Sequence, residues 1–190
     1  MEFPEYESTR LILRQLDDTD TSSILNLFSN EAVIAYYDME AITKPSQAAM
    51  IIEQMRHRFI TKAGIRWGIV LKETGNLIGT CGFNSWNEKM KSAVIGYDLL
   101  PQYWGQGIMA EAINKIVRQA FLGDLPCGKL NRIQADTVLG NVSSEKLLAK
   151  VGLKEEGLRR QSGYWKGQFH DLKCFGLLQS EYKEKGTFDV

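Results

Sequence analysis

One stretch, Gln102-Tyr103-Trp104-Gly105-Gln106-Gly107-Ile108-Met109-Ala110-Glu111, constrains this chain more than any other. The apolar run before it, Val94 to Leu100, reads as a strand, and Pro101 ends that strand because proline has no N–H to donate. From Ile108 the apolar period changes: Met109, Ala112, Ile113, Ile116, Val117 and Ala120 fall on one face of a helix. A glycine-bearing loop therefore joins a strand end to the first turn of a helix. The first N–H groups of a helix have no partner within it, and the peptide dipoles add partial positive charge there. Gly105 and Gly107 let the backbone bend tightly and let a ligand approach it closely. The product is an anion nest suited to a phosphate or pyrophosphate.

On the residues alone, two other readings of the loop stay open. A Gly-rich segment before a helix can be only a turn. Gly105-x-Gly107-x-x-Ala110 also satisfies a loose dinucleotide fingerprint. Context argues against the fingerprint. Pro101 to Trp104 separate the loop from the strand end, and Asp124 falls in a Gly/Pro loop where an acidic residue after a strand is needed. A Gly-Lys-(Ser/Thr) phosphate motif is absent.

Gln102-x-x-Gly105-x-Gly107 resembles the (Gln/Arg)-x-x-Gly-x-(Gly/Ala) signature of the GNAT N-acetyltransferases, in which it cradles the pyrophosphate of acetyl-CoA. The wider string Ile95-Gly96-Tyr97, Tyr103-Trp104-Gly105-Gln106-Gly107 and Glu111-Ala112 is similar, more narrowly, to the RimJ/RimL type, the ribosomal-protein N-terminal acetyltransferases and their relatives. The resemblance extends from about Thr9 to Leu178. It implies the acetyltransferase fold, an α/β (α+β) domain with a mixed, mostly antiparallel sheet flanked by helices. Acetyl-CoA, as cosubstrate, lies there in the gap where two central strands splay apart. The chain, residues 1–190, reads as a single domain of this kind.

Composition agrees with such a domain. At 44% apolar and 24% charged, the chain has enough apolar residues for a real core. Lys plus Arg balances Asp plus Glu at 23 each, which gives no support to broad nucleic-acid or membrane binding. No apolar run approaches the roughly 20 residues of a membrane helix. The acidic start, Met1-Glu2-Phe3-Pro4-Glu5, does not read as a signal peptide. Cys81, Cys127 and Cys174 are odd in number and lack metal-like spacing, as expected of reduced thiols in the cytoplasm. No metal is expected.

The order along the chain reads β-α-α-β-β-β-α-β-α-β-β. Thr9 to Leu16 is a first strand, and Asp17, Asp18 and Asp20 precede a helix that Asn30 stops. Glu31 to Ile42, with Tyr36, Tyr37 and Met39, shows no clear period; in the family it resembles this region often borders the acceptor site, and aromatic core filler is the alternative. A second helix starts at Pro45 and closes at Gly64. Strands over Ile65 to Lys72, Leu77 to Trp86 and Ser92 to Leu100 form a meander into the Gly loop. The next helix ends near Leu122, a strand carries Ile133, Ala135 and Thr137, and a short helix runs from Asn141 to Val151. Two strands, Lys154 to Trp165 and Phe169 to Leu178, and a polar tail from Lys183 complete the chain.

Acetyl transfer from a thioester to an amine needs a held cofactor, a polarised carbonyl, a neutral amine and a stabilised thiolate. The nest, with Gln102, Tyr103, Trp104, Gly105, Gln106, Gly107 and Ile108, answers the first need. The resemblance implies that Leu99 and Leu100 pair with the pantetheine arm, and that a bulge at Asp98 to Leu100 turns backbone N–H groups toward the thioester. An α-amine has a pKa of roughly 7.7–8.0, so a modest carboxylate is base enough. Glu156, after Gly152-Leu153, stands where RimL-type enzymes carry an acidic residue; an exposed strand glutamate is the alternative. Many acetyltransferases carry a tyrosine as acid toward the thiolate where this chain has Leu148. RimL-like enzymes use a serine in Asn-x-x-Ser, and Asn141-Val142-Ser143-Ser144 matches it. The resemblance thus implies Ser144 as donor to the thiolate and Asn141 as a pantetheine contact, although Asn141 is also good helix-capping chemistry.

The expected acceptor is a protein N-terminal α-amine of the ribosomal-protein-alanine type. A small amine, such as a polyamine or an aminoglycoside, is the rival acceptor. A noncatalytic acyl-CoA-binding module is the rival of another class. The resemblance is compatible with a homodimer, on which the sequence is silent.

Overall fold

A computed structural model describes residues 2–183. In chain order its elements are β1 (Tyr6–Glu7), β2 (Leu11–Arg14), α1 (Thr21–Phe28), α2 (Glu31–Ile34), α3 (Pro45–Ile60), β3 (Ile65–Leu71), β4 (Leu77–Asn87), β5 (Ser92–Leu99), α4 (Ile108–Leu122), β6 (Arg132–Val138), α5 (Val142–Val151), β7 (Lys154–Trp165) and β8 (Gln168–Leu178). The strands form one sheet ordered β1-β2-β3-β4-β5-β6-β8-β7. Neighbours are antiparallel except β5 and β6, which run parallel because α4 carries the chain back across the sheet.

That parallel pair is short. Ser92 pairs with Arg132, Ala93 with Ile133 and Val94 with Gln134, and pairing stops there. β5 continues to Leu99 and β6 to Val138, so the two strands part in a wedge. This is the splay implied by the resemblance.

The sheet is covered on both faces. The apolar stripe of α4 is buried throughout and packs with Leu11, Trp67, Phe83, Ile95 and Leu99. On the other face α1 and α3 bury Ile24, Phe28, Ala48 and Ile52 against Val70, Leu77 and Leu100.

Most expected elements are present, with local differences. β2 is shorter than Thr9 to Leu16 because Asp17 and Asp20 fold the chain into a capped turn, with Arg14 Nη1 2.7 Å from Asp20 Oδ2. Asn30 does not simply end α1: its Oδ1 accepts from Ala32 N–H and caps the one-turn α2. The last hairpin is irregular, with register shifts at Glu155/Gly157 and Arg159/Gly163; Asp171 pins it by accepting from Gln161 N–H at 2.7 Å. The tail expected from Lys183 onward lies, beyond that residue, outside the described residues.

Candidate active site

The Gly loop takes the form its residues require. Gly105 and Gly107 both have φ of 74°, the left-handed region that costs a side-chain-bearing residue about 1–2 kcal/mol. Gly107 is the N-cap of α4 and leaves the first amides of that helix open. Three contacts hold it. Trp104 Nε1 donates to Leu99 O at 2.7 Å, tying the loop back to the end of β5. Gln106 Nε2 donates to Gln102 O at 2.7 Å. Arg10, just before β2, donates to Gln106 O and to Glu111 Oε2. Glu111 also accepts from Ser8 Oγ and Arg10 N–H. Arg10 thus offsets an acidic residue in the first turn of α4, which would otherwise oppose an anion.

The splay opens into a cavity of about 850 Å³ lined by β5, β6, α5, the loop and the α2 segment. Leu100 N–H donates to Ile78 O on β4, so strand alternation turns the N–H groups of Leu99 and Tyr97 away from β4, toward the gap. Unpaired amides at a strand end suit a developing oxyanion. The expected bulge at Asp98 to Leu100 is corrected here. β5 keeps unbroken register with β4 from Ile95↔Phe83 to Leu99↔Gly79, and the irregularity falls at Asn84 on β4. The splay, rather than a bulge, frees the amides.

Ser144 sits in the first turn of α5, its N–H accepted by the N-cap Asn141 Oδ1 at 3.2 Å. Its Oγ lies 2.6 Å from the hydroxyl of Tyr97 on β5. Both residues line the cavity. Burial pushes the Tyr97 phenol up to about 12. Leu148 is fully buried in the core and faces no ligand space. Thr137 on β6 lines the same cavity with its buried Oγ1 unpartnered among the described residues.

The opposite sheet face carries a buried ion pair. Asp98 Oδ2 receives Arg66 Nη2 and the Thr80 hydroxyl, and Arg66 Nη1 donates to Asn84 Oδ1 at 2.9 Å. A Cβ at Gly96 would sit 2.5 Å from Asn84 Nδ2 and 2.8 Å from Arg66 Nη1, so these side chains would have to shift. Asp98 Oδ1 is buried without a partner among the described residues. Tyr37 lies beside the pair. The α2 segment closes this side, with Tyr36 OH donating to Gly140 O at 3.1 Å and Lys166 Nζ donating to Ile34 O at 3.0 Å.

Of the residues picked from sequence, Leu99, Tyr103, Trp104, Gly105, Gly107, Ile108, Asn141 and Ser144 meet at this cavity. Four do not. Leu100 buries its side chain in the core under α1 and α3. Gln102 and Gln106 brace the loop from behind and do not line the cavity. Glu156 is the larger correction. It is displaced by the register shift in β7, half-exposed, and gripped by both terminal nitrogens of Arg132. That hydrogen bonding holds its carboxyl below the usual range, making it a poor base. Sequence reasoning missed Tyr97, although the alternation Ile95, Tyr97, Leu99 places it on the face of Leu99.

Together the open amides, the wedge and the unpartnered buried Thr137 hydroxyl fit acetyl-CoA. Comparison with known proteins agrees. The family model described as acetyltransferase (GNAT) domain matches residues 10–154. An uncharacterised N-acetyltransferase of Bacillus subtilis, YoaA, is 38% identical over 93% of this chain and 98% of its own length. A ribosomal-protein-S5-alanine acetyltransferase structure from Vibrio fischeri superposes with a TM-score of 0.80 over 95% of this chain and all of the other, at 22% identity. A spermidine N-acetyltransferase structure from Vibrio cholerae, in complex with CoA and spermine, superposes with a TM-score of 0.76 over 92% of this chain and 98% of the other, at 24% identity. At such identities the structural likeness is one of fold. The open amides of the Gly loop, the splayed strands and the matching family model make this chain a member of the GNAT family, an acetyl-CoA-dependent N-acetyltransferase.

Proposed function

We propose that the acceptor is a protein N-terminal α-amine, as in the RimJ/RimL type, and that it attacks the thioester directly. The observation that carries this reading is the state of the carboxylates at the cavity. Asp98 is paired with Arg66 and Asp136 with Arg159, while Asp38 stands exposed at the mouth. Two are held by arginines and the third is exposed to solvent, so none is set inside the cavity as a free base. An α-amine, with a pKa of roughly 7.7–8.0 against 10.4 for a lysine-like amine, offers a neutral fraction at pH 7 larger by about 300-fold. A site whose carboxylates are paired or exposed favours the acceptor that needs a base least.

A polycation would be better served by an acidic cavity. The acidic clusters of the chain are engaged elsewhere: Asp20 with Arg14, Glu155 with Lys173, and Glu156 with Arg132.

Bound acetyl-CoA supplies the activated acyl group. The amides of Gly107, Ile108 and Met109 hold its phosphates, and Lys146 and Lys150 on α5 add positive charge to the cavity. The N–H groups of Leu99 and Tyr97 stabilise the oxyanion, an interaction worth about 3 kcal/mol per donor in well-aligned sites. With no free carboxylate set inside the cavity, the ammonium proton passes to water. Asn141 Nδ2 remains free to hold the pantetheine arm once Oδ1 is engaged with Ser144. Ser144 faces the departing sulfur.

The test is the rate of thiol release with three acceptors: a peptide with a free α-amine, the same peptide blocked at its N-terminus but bearing a lysine, and spermidine. The free α-amine is expected to lead in kcat/KM by roughly 100-fold or more. Spermidine leading would overturn the reading.

A further inference from the structure

The Tyr97 hydroxyl, on the cavity wall, has no part in the account above. Tyr97 projects from β5 into the wedge, on the same sheet face as Leu99, and ends 2.6 Å from Ser144 Oγ. The contact joins residues 47 apart in sequence and two different elements, a strand and a helix N-terminus. Its two ends are held independently. The Tyr97 ring packs against the main core, and the Ser144 backbone is fixed by the Asn141 cap. The hydroxyl that the chain lacks at Leu148 on α5 is therefore present, brought from β5.

Resting on the assignment of Ser144 above, we infer that Tyr97 and Ser144 act as one donor pair toward the leaving thiolate, with Tyr97 the positioning residue that orients the serine proton. A phenol is a far better donor than an aliphatic hydroxyl, whereas a serine oxygen accepts readily. With Tyr97 donating, Ser144 Oγ is occupied as an acceptor and its single hydrogen is left for the sulfur. A chain of two such bonds polarises each member, strengthening the outer one. The α5 N-terminus adds partial positive charge at the same place.

The electron balance is simple. The amine nitrogen bonds to the acyl carbon, the carbon–sulfur bond breaks, and its electron pair leaves on sulfur. The proton lost by the nitrogen is taken by water. Tyr97 and Ser144 lend hydrogen bonds and end as they began. Burial keeps the phenol neutral up to about 12, well above an alkyl thiol at roughly 8.5. Full proton transfer from Tyr97 to the thiolate is thus uphill, and the pair stabilises without delivering a proton.

The experiment uses Tyr97→Phe, Ser144→Ala and the double variant, with two readouts. The first is kinetic. Tyr97→Phe is expected to lower kcat roughly fivefold with the KM for acetyl-CoA unchanged, and the double variant to be no slower than Ser144→Ala. The second needs no turnover: ultraviolet titration of the thiol of bound CoA, with the desulfo-CoA complex as blank. The pair should hold the bound thiol pKa below that of free CoA, and Tyr97→Phe should raise it by about half a unit. Losing a purely structural tyrosine would lower the melting temperature and leave the bound thiol pKa alone, which overturns the inference. Losses that multiply in the double variant overturn it too. If Ser144→Ala leaves both readouts at wild-type values, the Ser144 assignment falls and the pair with it. Failure of the acceptor panel instead overturns the substrate reading while the titration still stands.

Discussion

Substituting Gly105 by alanine separates the anion-holding loop from every other part of the site. Gly105 has φ of 74°, and a Cβ built there meets nothing within 4 Å. The change therefore carries only a backbone cost of about 1–2 kcal/mol, partly offset by the stiffer unfolded chain. A net loss near 1 kcal/mol lowers the melting temperature of a chain this size by about 2–4 °C. Gly75 in the β3–β4 turn is a matched control, with φ of 69° and an equally empty surround. Gly75→Ala should lose a similar amount of stability. The two should part on acetyl-CoA affinity, measured by calorimetry. Gly105→Ala weakens it at least tenfold, about 1.4 kcal/mol, because the methyl and the strained loop disturb the approach to the open amides. Its kcat at saturating acetyl-CoA should stay within about threefold, since the interactions assigned to the transition state are made by Leu99 and Ser144. An unchanged dissociation constant in Gly105→Ala, beside the control, would refute the reasoning that this loop holds the phosphates.

Three further outcomes follow from the same geometry. Glu156→Gln should leave kcat within about twofold, because its carboxylate is engaged with Arg132 outside the cavity; a loss of tenfold or more would return it to the mechanism. Arg66→Met leaves Asp98 buried without its cation and should cost about 3–5 kcal/mol in urea unfolding. For Glu111, burial pushes the carboxyl up, but hydrogen bonds from Arg10 N–H, the Ser8 hydroxyl and the Arg10 side chain draw it lower overall. A carboxylate with a depressed folded pKa stabilises above its unfolded pKa and loses that contribution as the pH falls through the folded one. The melting-temperature gap between wild type and Glu111→Gln should therefore be full at neutral pH and close as the pH falls below 4.5.

What was legible in the sequence was what local chemistry dictates. The apolar period of α4, bounded by Gly107 and Gly123, reads off directly, as do the strands of the meander and the Asn141 cap. That Gly105 and Gly107 bend the loop tightly follows from residue type, whereas their part in holding a pyrophosphate was implied by the family resemblance. The parts that were not legible depend on register or on long-range contact. Glu156 changes its surroundings because β7 slips register beside it, and no local signal marks that slip. Leu100 is one residue past Leu99 and so faces the opposite core. The Tyr97–Ser144 contact needs β5 and α5 brought together by the splay. The Glu31 to Ile42 segment has no period because it holds a single helical turn, and it is fixed by Tyr36 and Lys166 reaching across the cavity mouth.

The most direct test of the account is to find where the acetyl group goes. A peptide bearing both a free α-amine and an internal lysine is incubated with the enzyme and acetyl-CoA, and peptide and enzyme are analysed by mass spectrometry with fragmentation. The account predicts one acetyl group, on the α-nitrogen, with the lysine free and the enzyme's own mass unchanged. Acetylation at the lysine would contradict the acceptor assignment, and an acetylated enzyme competent to pass its acetyl group to the peptide would contradict direct attack on the thioester.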